Sequence, residues 1–354
     1  MKKHLSKIVR KFDTENKSDY DWVLNQSERI KELAFFDWNR FKQSLTQEDF
    51  FLYPNTTQFR KKLAKYYNTD NDNIFLCAGS DVGIKSVFET FTDGGRVVTT
   101  DPSFPMYKVY SELYQCEYIG VPHEEDYTIS VGRILSEVDD NTDLIILANP
   151  NSPMGEYKSF DEILPILETG VPTLIDEAYI EFTEKNKSFI EHIDKYPNLI
   201  ITRTFSKAFG AAGCRVGAVV SNKDNIELIG KFRQMYEISG VSMKYCEFLL
   251  DNLGLIEDYW KDIERERNFL TFRLKKIGDM IDSVNCNWIH FNTPDNNKLT
   301  KEVFDNHNVL VKYCKLPHDD RDNWVRLTIS PGISDSDFIK ELIDVYTNSK
   351  KDFY

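Results

Sequence analysis

Long apolar runs are missing from this sequence. No stretch approaches the roughly twenty residues that a membrane-spanning helix needs, and the basic start, MKKHLSKIVRKF, lacks the apolar centre of a signal peptide. Blocks of lysine and arginine are missing too. The 44 basic residues face 57 acidic ones for a net charge of −13, a balance that argues against nucleic acid or an anionic membrane as a partner. Cysteine is sparse: Cys77, Cys116, Cys214, Cys246, Cys286 and Cys314 stand far apart with no Cys-x-x-Cys, and no two histidines sit at metal-ligand spacing. The cysteines therefore read as reduced packing residues, and no metal is implied. Neither a Gly-x-Gly-x-x-Gly after a strand nor a Walker loop occurs, so nucleotide binding has no support. With 354 residues, no repeat and no low-complexity segment, the expectation is a soluble, cytoplasmic chain with one larger and one smaller domain, each with its own core.

What the sequence does contain is a set of short apolar runs that end in polar clusters. Leu199 to Ile201 reads as a buried strand and leads into TRTFSKAFGAAGCRVG, residues 202–217. This places Lys207 at a strand's carboxyl end, where open α/β sheets hold their ligands. Thr204, Ser206 and Arg215 flank it as two hydroxyls and one fixed cation, a set suited to a phosphate. Taken alone, Lys207 also reads as a loop lysine pairing a carboxylate. Thr173 to Ile175 closes on Asp176-Glu177-Ala178-Tyr179, and Leu144 to Ala148, the best central strand, closes on Asn149-Pro150-Asn151-Ser152-Pro153. Three such endings point to one cleft. A further strand, Asn73 to Ala78, meets Gly79-Ser80-Asp81 and then a helix with Ile84, Val87, Phe88 and Phe91 on one stripe; free N–H groups at such a helix start attract an anion. Ser80 or Asp81 could equally serve only as a cap. Val97 to Thr100 is followed by Phe104, which reads as a core aromatic or a flat neighbour for a ring. Thr57 is the expected cap of a helix carrying Phe59, Leu63, Tyr66 and Tyr67, and Ser159 with Glu162 forms a capping box.

On these motifs the chain resembles the pyridoxal-phosphate enzymes of the aspartate aminotransferase fold, most closely the histidinol-phosphate aminotransferase family, from Leu24 to the C-terminal helix. The resemblance implies an α/β fold: a large domain with a mostly parallel seven-stranded sheet between helices, plus a smaller α+β domain. The expected division is an N-terminal arm over 1–45 that also completes the small domain, a large cofactor-binding domain over 46–245, and a small domain over 246–354. In the small domain the pattern gives an amphipathic helix with Phe269, Leu270, Leu274 and Ile277, short strands over 288–292, 309–313 and 325–330, and a last helix with Phe338, Leu342, Ile343 and Tyr346 on one face.

The same resemblance assigns roles. Lys207 would hold pyridoxal 5'-phosphate covalently and act as the base. Asp176 would keep the ring nitrogen protonated, and Tyr179 and Asn151 would reach the phenolic oxygen. Gly79, Ser80, Asp81, Ser206 and Arg215 would take the phosphate, and Phe104 would stack on the ring where the family usually has tyrosine. Tyr53 would reach the phosphate of a neighbouring subunit, making a homodimer with shared sites. Asn25, in Leu24-Asn25-Gln26-Ser27-Glu28, would border the substrate, and Arg326 and Lys312 would grip its anionic group. The family usually has arginine at 312 and threonine at 154, and its loop over 235–240 differs from the one here, which carries Glu237. The implied activity moves an amino group from glutamate to a small phosphorylated or carboxylated carbonyl compound without an aromatic ring. The alternatives are a decarboxylase of a phosphorylated amino acid and, further off, a non-catalytic relative.

Overall fold

In a computed structural model of the chain, the described residues are His4, Ile8, 19–24, 38–183, 187–232, 235–281 and 284–349. In chain order the strands are β1 Trp22–Val23, β2 Ile74–Cys77, β3 Arg96–Asp101, β4 Glu117–Pro122, β5 Thr142–Ala148, β6 Thr173–Asp176, β7 Leu199–Thr204, β8 Gly217–Ser221, β9 Asp279–Ile281, β10 Trp288–Asn292, β11 Val309–Leu310, β12 Lys312–Cys314 and β13 Trp324–Thr328. The described residues form two compact units, one over 38–253 and the other over 19–24 with 254–349.

The larger unit is built on a seven-stranded sheet in the order β2-β8-β7-β6-β5-β3-β4. It is mostly parallel, as expected; β8 alone runs antiparallel, against both β2 and β7. Apolar residues such as Leu144, Ile145, Ile146 and Leu147 are buried without alternation, as in a sheet covered on both faces. Helix Ser80–Phe91 packs Ile84, Val87 and Phe88 into the core on one side, among Val97, Leu144, Ile146, Leu174 and Ile200. Two glycines permit this approach. A Cβ at Gly83 would lie 2.9 Å from Val219, and one at Gly217 would lie 2.5 Å from the Ser80 nitrogen.

What positions the site is register. Ala148 pairs with Asp176, and Asp176 with Thr202, so β5 and β6 finish level while β7 runs two residues further, to Thr204. The residues that follow these strands emerge at one edge of the sheet, where the ladder closes with the Asn149 N–H on the Asp176 carbonyl and the Glu177 N–H on the Thr202 carbonyl.

In the smaller unit four antiparallel strands stand in the order β12-β13-β10-β9. β1 pairs in parallel with β11, and the Leu24 N–H donates to the Leu310 carbonyl. Helix Leu253–Leu274 buries Ile256, Tyr259, Ile263, Leu270 and Leu274 at helical spacing. Helix Asp337–Ser349 buries Phe338, Ile339, Leu342 and Tyr346.

Four local expectations need correction. Phe269 is 47% exposed and lies off the buried stripe. Ile343 is half-buried, and Ile339 takes its place on the inner face. The strand expected over 309–313 is two strands with different partners, because β11 joins β1 while β12 joins β13. Thr57 is the first residue of helix Thr57–Tyr67 rather than its cap, and its N–H is taken by the Asn55 side chain at 3.0 Å. The capping box of Ser159 and Glu162 is present.

Candidate active site

Asp176, the last residue of β6, is buried and faces two hydroxyl donors. The Tyr107 phenol donates to Oδ2 at 2.8 Å, and the Thr202 hydroxyl donates to Oδ1 at 2.9 Å. Burial pushes the Asp176 carboxyl above the ordinary range, against the pull of those two donors and the Lys207 charge. Tyr107 is itself fully buried, and burial followed by the Asp176 charge drives its phenol well above the usual value, so it stays a donor. Neither Tyr107 nor Thr202 was singled out from the sequence, although both flank recognised motifs. Phe104 meets the Tyr107 ring edge-on at 5.6 Å and is partly buried against the sheet's core.

Lys207 sits three residues past β7, with Nζ 5.6 Å from the centre of the Tyr179 ring. Tyr179 itself opens a short turn, Ile180–Phe182, and is 7% exposed. That turn is clamped from behind by a buried ion cluster that sequence reading missed. Arg203, on β7, bonds Glu177 at 3.3 Å and also bonds Glu181, while Glu177 accepts from Ser188 and from the Phe189 N–H. The Tyr67 ring lies 4.9 Å from the guanidinium. Glu177 and Glu181 bracket Tyr179, so the cluster fixes the turn that carries it. Asn151 is fully buried after β5. Its amide donates to Thr100 at 3.3 Å, and the loop is closed by Asn149, whose side chain bonds both backbone groups of Lys158 at 2.8 Å.

The anion cradle forms where β2 meets helix Ser80–Phe91. Gly79 has φ +85°, and a Cβ there would overlap the Arg215 guanidinium, so glycine is what lets Arg215 approach the turn. Arg215 itself adopts φ +53° and donates to Ser206 Oγ at 3.4 Å and to the Ala212 carbonyl at 3.2 Å. Gly79, Ser80, Ser206 and Arg215 are thereby brought together. Asp81 is engaged elsewhere, accepting from the Tyr110 phenol at 2.9 Å. Neither Ser80 nor Asp81 provides a side-chain cap; the capping position is Gly79.

Other candidates are not part of this cluster. Tyr53 is 75% exposed and stacks on Tyr236 at 4.0 Å, and Asn25 lies outside the described residues. In the smaller unit Lys312 pairs with Arg326 across β12 and β13, and Arg326 with His290 across β13 and β10. The Arg326 guanidinium lies 5.1 Å from the Trp288 ring. All six cysteines are free. Among the described residues, no cluster has a metal-ligand set and no helix is long and apolar enough to cross a membrane.

The donor set of the larger unit suits a flat phosphorylated cofactor with a basic ring nitrogen. Asp176 is a carboxyl that burial drives toward neutrality and that a cation would restore, and the Gly79 turn brings free N–H groups, a hydroxyl and a guanidinium together. A family model for aminotransferases of class I and II matches residues 15–344. A histidinol-phosphate aminotransferase of Thermococcus kodakarensis is 32% identical over 276 residues, 77% of either chain. The structure of the histidinol-phosphate aminotransferase from Clostridium acetobutylicum is similar with a TM-score of 0.80 at 22% identity, covering 92% of this chain and 99% of that one. The enzyme of that name from Sinorhizobium meliloti, solved in complex with pyridoxal-5'-phosphate, gives a TM-score of 0.79 at 19% identity, covering 92% and 89%. At such identities the two structures speak for the fold, whereas the family match runs through both units and along most of the sequence. On that match this chain belongs to the class I and II aminotransferases, a family of pyridoxal-phosphate-dependent enzymes.

Proposed function

We propose that this aminotransferase moves an amino group from glutamate to a small carbonyl compound bearing a phosphate or carboxylate and no aromatic ring. The observation that carries the reading is the alignment of Asp176, Lys207 and the Gly79–Arg215 cradle at one edge of the large sheet. In this reading Ser80, Ser206 and Arg215 hold the cofactor phosphate, Phe104 covers one ring face, and Asn151 and Tyr179 orient the phenolic oxygen. Asp81, held by Tyr110, keeps the start of its helix in place beneath the phosphate. The cofactor supplies an electron sink for the carbanion left when a proton leaves the substrate. Asp176 holds a proton at the ring nitrogen, with Tyr107 and Thr202 fixing both of its oxygens. Lys207, as a free amine, removes the α-proton of the donor and returns a proton on the way to products.

Arg326 and Lys312 supply two cations on one face of the small sheet, a grip for one anionic group that donor and acceptor present in turn. Lysine at 312, where the family usually has arginine, supports a substrate other than an imidazole. The 46–245 segment acts as the large cofactor-binding domain and 246–354 as the small domain, with the arm over 1–45 completing the latter. Phe50, Phe51, Leu52, Tyr53, Phe232, Met235 and Tyr236 are all more than 45% exposed, an apolar surface that supports a second copy of the chain as its cover. Tyr53 then serves the neighbour's cofactor, giving a homodimer with shared sites in the cytoplasm. Decarboxylation is the less supported reading.

The test is a single turnover. Holoenzyme mixed with glutamate alone should release one 2-oxoglutarate per site as its visible absorbance changes, and release of carbon dioxide instead would overturn transamination. A panel of acceptors then ranks kcat/KM, and a clear preference for histidinol phosphate over small non-aromatic phosphates and carboxylates would overturn the substrate reading.

A further inference from the structure

His290 is absent from every motif in the sequence, yet it occupies the third position of the cation rung. Directly paired residues of antiparallel strands project to the same face. Lys312, Arg326 and His290 are paired across β12, β13 and β10 and therefore share one side of the sheet. Trp288, two residues before His290, is on that side too and lies under the Arg326 guanidinium. His290 is 0% exposed, and neither ring nitrogen has a hydrogen-bond partner. Burying a polar ring without a partner carries a cost, and a leucine at this inward strand position would avoid it. A buried polar group left unsatisfied in a folded protein calls for an explanation, and a bound group is one.

We propose that His290 is a specificity-determining residue, whose ring N–H completes with Arg326 and Lys312 a three-donor site for a phosphate monoester. The inference rests on the reading of Arg326 and Lys312 as the grip on the substrate's anion, and it names the anion. A carboxylate offers two coplanar oxygens, which one guanidinium fork satisfies. A phosphate monoester offers three terminal oxygens, and the rung supplies a fork, an ammonium and a third donor. Burial, with the two neighbouring cations, lowers the His290 pKa to about 3. The ring thus enters the site neutral, with one N–H to give and no added repulsion toward Arg326. An arriving anion would satisfy a donor that is otherwise unpaired, so the unliganded cost of burial is recovered as discrimination.

The experiment uses holoenzyme and two probes, inorganic phosphate and acetate, as inhibitors of the glutamate half-reaction. His290→Leu is expected to raise the inhibition constant of phosphate about tenfold or more, the worth of one hydrogen bond to a charged group, and that of acetate less than threefold. His290→Gln, which keeps a donor, should stay within threefold of the parent for both. If the melting curve shows that the leucine variant folds poorly, His290→Phe is read in its place. Arg326→Ala separates the two levels of the argument. Should it leave both probes binding as before, the anion reading itself fails. Should it weaken both while His290→Leu changes neither, or changes them equally, His290 has no part in selectivity and the inference is overturned.

Discussion

Tyr107→Phe removes a single oxygen from the site and leaves its packing intact. The ring keeps its edge-on contact with Phe104 and its place in the core, but Asp176 Oδ2 loses the donor that stands 2.8 Å away. A hydrogen bond to a charged group is worth roughly 1.5–3 kcal/mol, which translates into about ten- to 150-fold in rate if it is felt wholly in the transition state. The direction follows from acidity. The Tyr107 bond lowers the Asp176 pKa against the upward push of burial, so its loss raises that pKa further. With Asp176 in its proposed place at the ring nitrogen, a more basic carboxylate competes better for the ring's proton, and the electron sink weakens. Two signatures are therefore expected in Tyr107→Phe: a kcat reduced within that range, and an acid limb of the kcat/KM profile displaced to higher pH. Thr202→Val, which removes the donor to Oδ1, should shift the limb the same way. The assay is steady-state turnover from pH 5 to 9 with melting curves as the control for folding. A rate within twofold of the parent at every pH would refute the assignment of Tyr107 to Asp176. A reduced rate with an unmoved acid limb would assign Tyr107 to packing instead.

Lys207→Ala should abolish turnover and the borohydride-fixable mass of the cofactor while leaving the fold intact, because Ser206, Arg215 and the Gly79 turn are untouched; normal turnover would sink the assignment. Asp176→Asn should cost several orders of magnitude in kcat, and a loss of only a few fold would point to chemistry that needs no charged ring. The same variant tests the electrostatics without cofactor. A carboxyl whose folded pKa is raised contributes stability that is complete below its unfolded pKa and lost as pH rises through the folded one. Cofactor-free Asp176→Asn should therefore melt above the cofactor-free parent at pH 8 and lose that advantage near pH 4; equal melting at both would show that the buried charge costs nothing. Mixing Tyr53→Phe with Lys207→Ala subunits should recover activity above either parent, since a crossover tyrosine leaves one site in each mixed dimer intact, and verified exchange without recovery would place Tyr53 in its own subunit's affairs.

The edge of the sheet was legible because each strand announces itself locally. Leu144 to Ala148, Thr173 to Ile175 and Leu199 to Ile201 are apolar runs that stop at polar residues, and parallel strands that pair in sequence order send their carboxyl ends to the same edge. Partners across the sheet were not legible in the same way. Tyr107 and Asp176 are 69 residues apart, and in a single sequence Tyr107 is one more aromatic on an amphipathic helix, Met106–Leu113. Its hydroxyl acquires meaning only from the register that sets β6 beside the layer containing that helix. His290 was hidden for a related reason, since alternation along β10 shows which side a residue faces but not which residues of β12 and β13 stand beside it. Thr57 failed as a cap because the helix begins one residue earlier than expected, with Thr56 in the capping position and the Asn55 side chain accepting from the Thr57 N–H, a boundary shift that composition does not rank.

Arg203 makes the limit sharpest. It lies between Thr202, which fixes Asp176, and Thr204, whose hydroxyl accepts from the Ser206 N–H at 3.1 Å, so β7 sends alternate side chains to the proposed cofactor site and one between them to the opposite face. There it meets two glutamates in full burial, where three charges together are seldom more stable than apolar residues of the same size. Stability alone therefore gives no reason for the cluster. A reason appears in what it holds: Glu177 follows Asp176 directly and Glu181 follows Tyr179 by two, so a single guanidinium fixes both ends of the turn that presents Tyr179 to Lys207. The same strand thus sets the acid, the lysine and the tyrosine, and the buried charges make sense as the connection between its two faces.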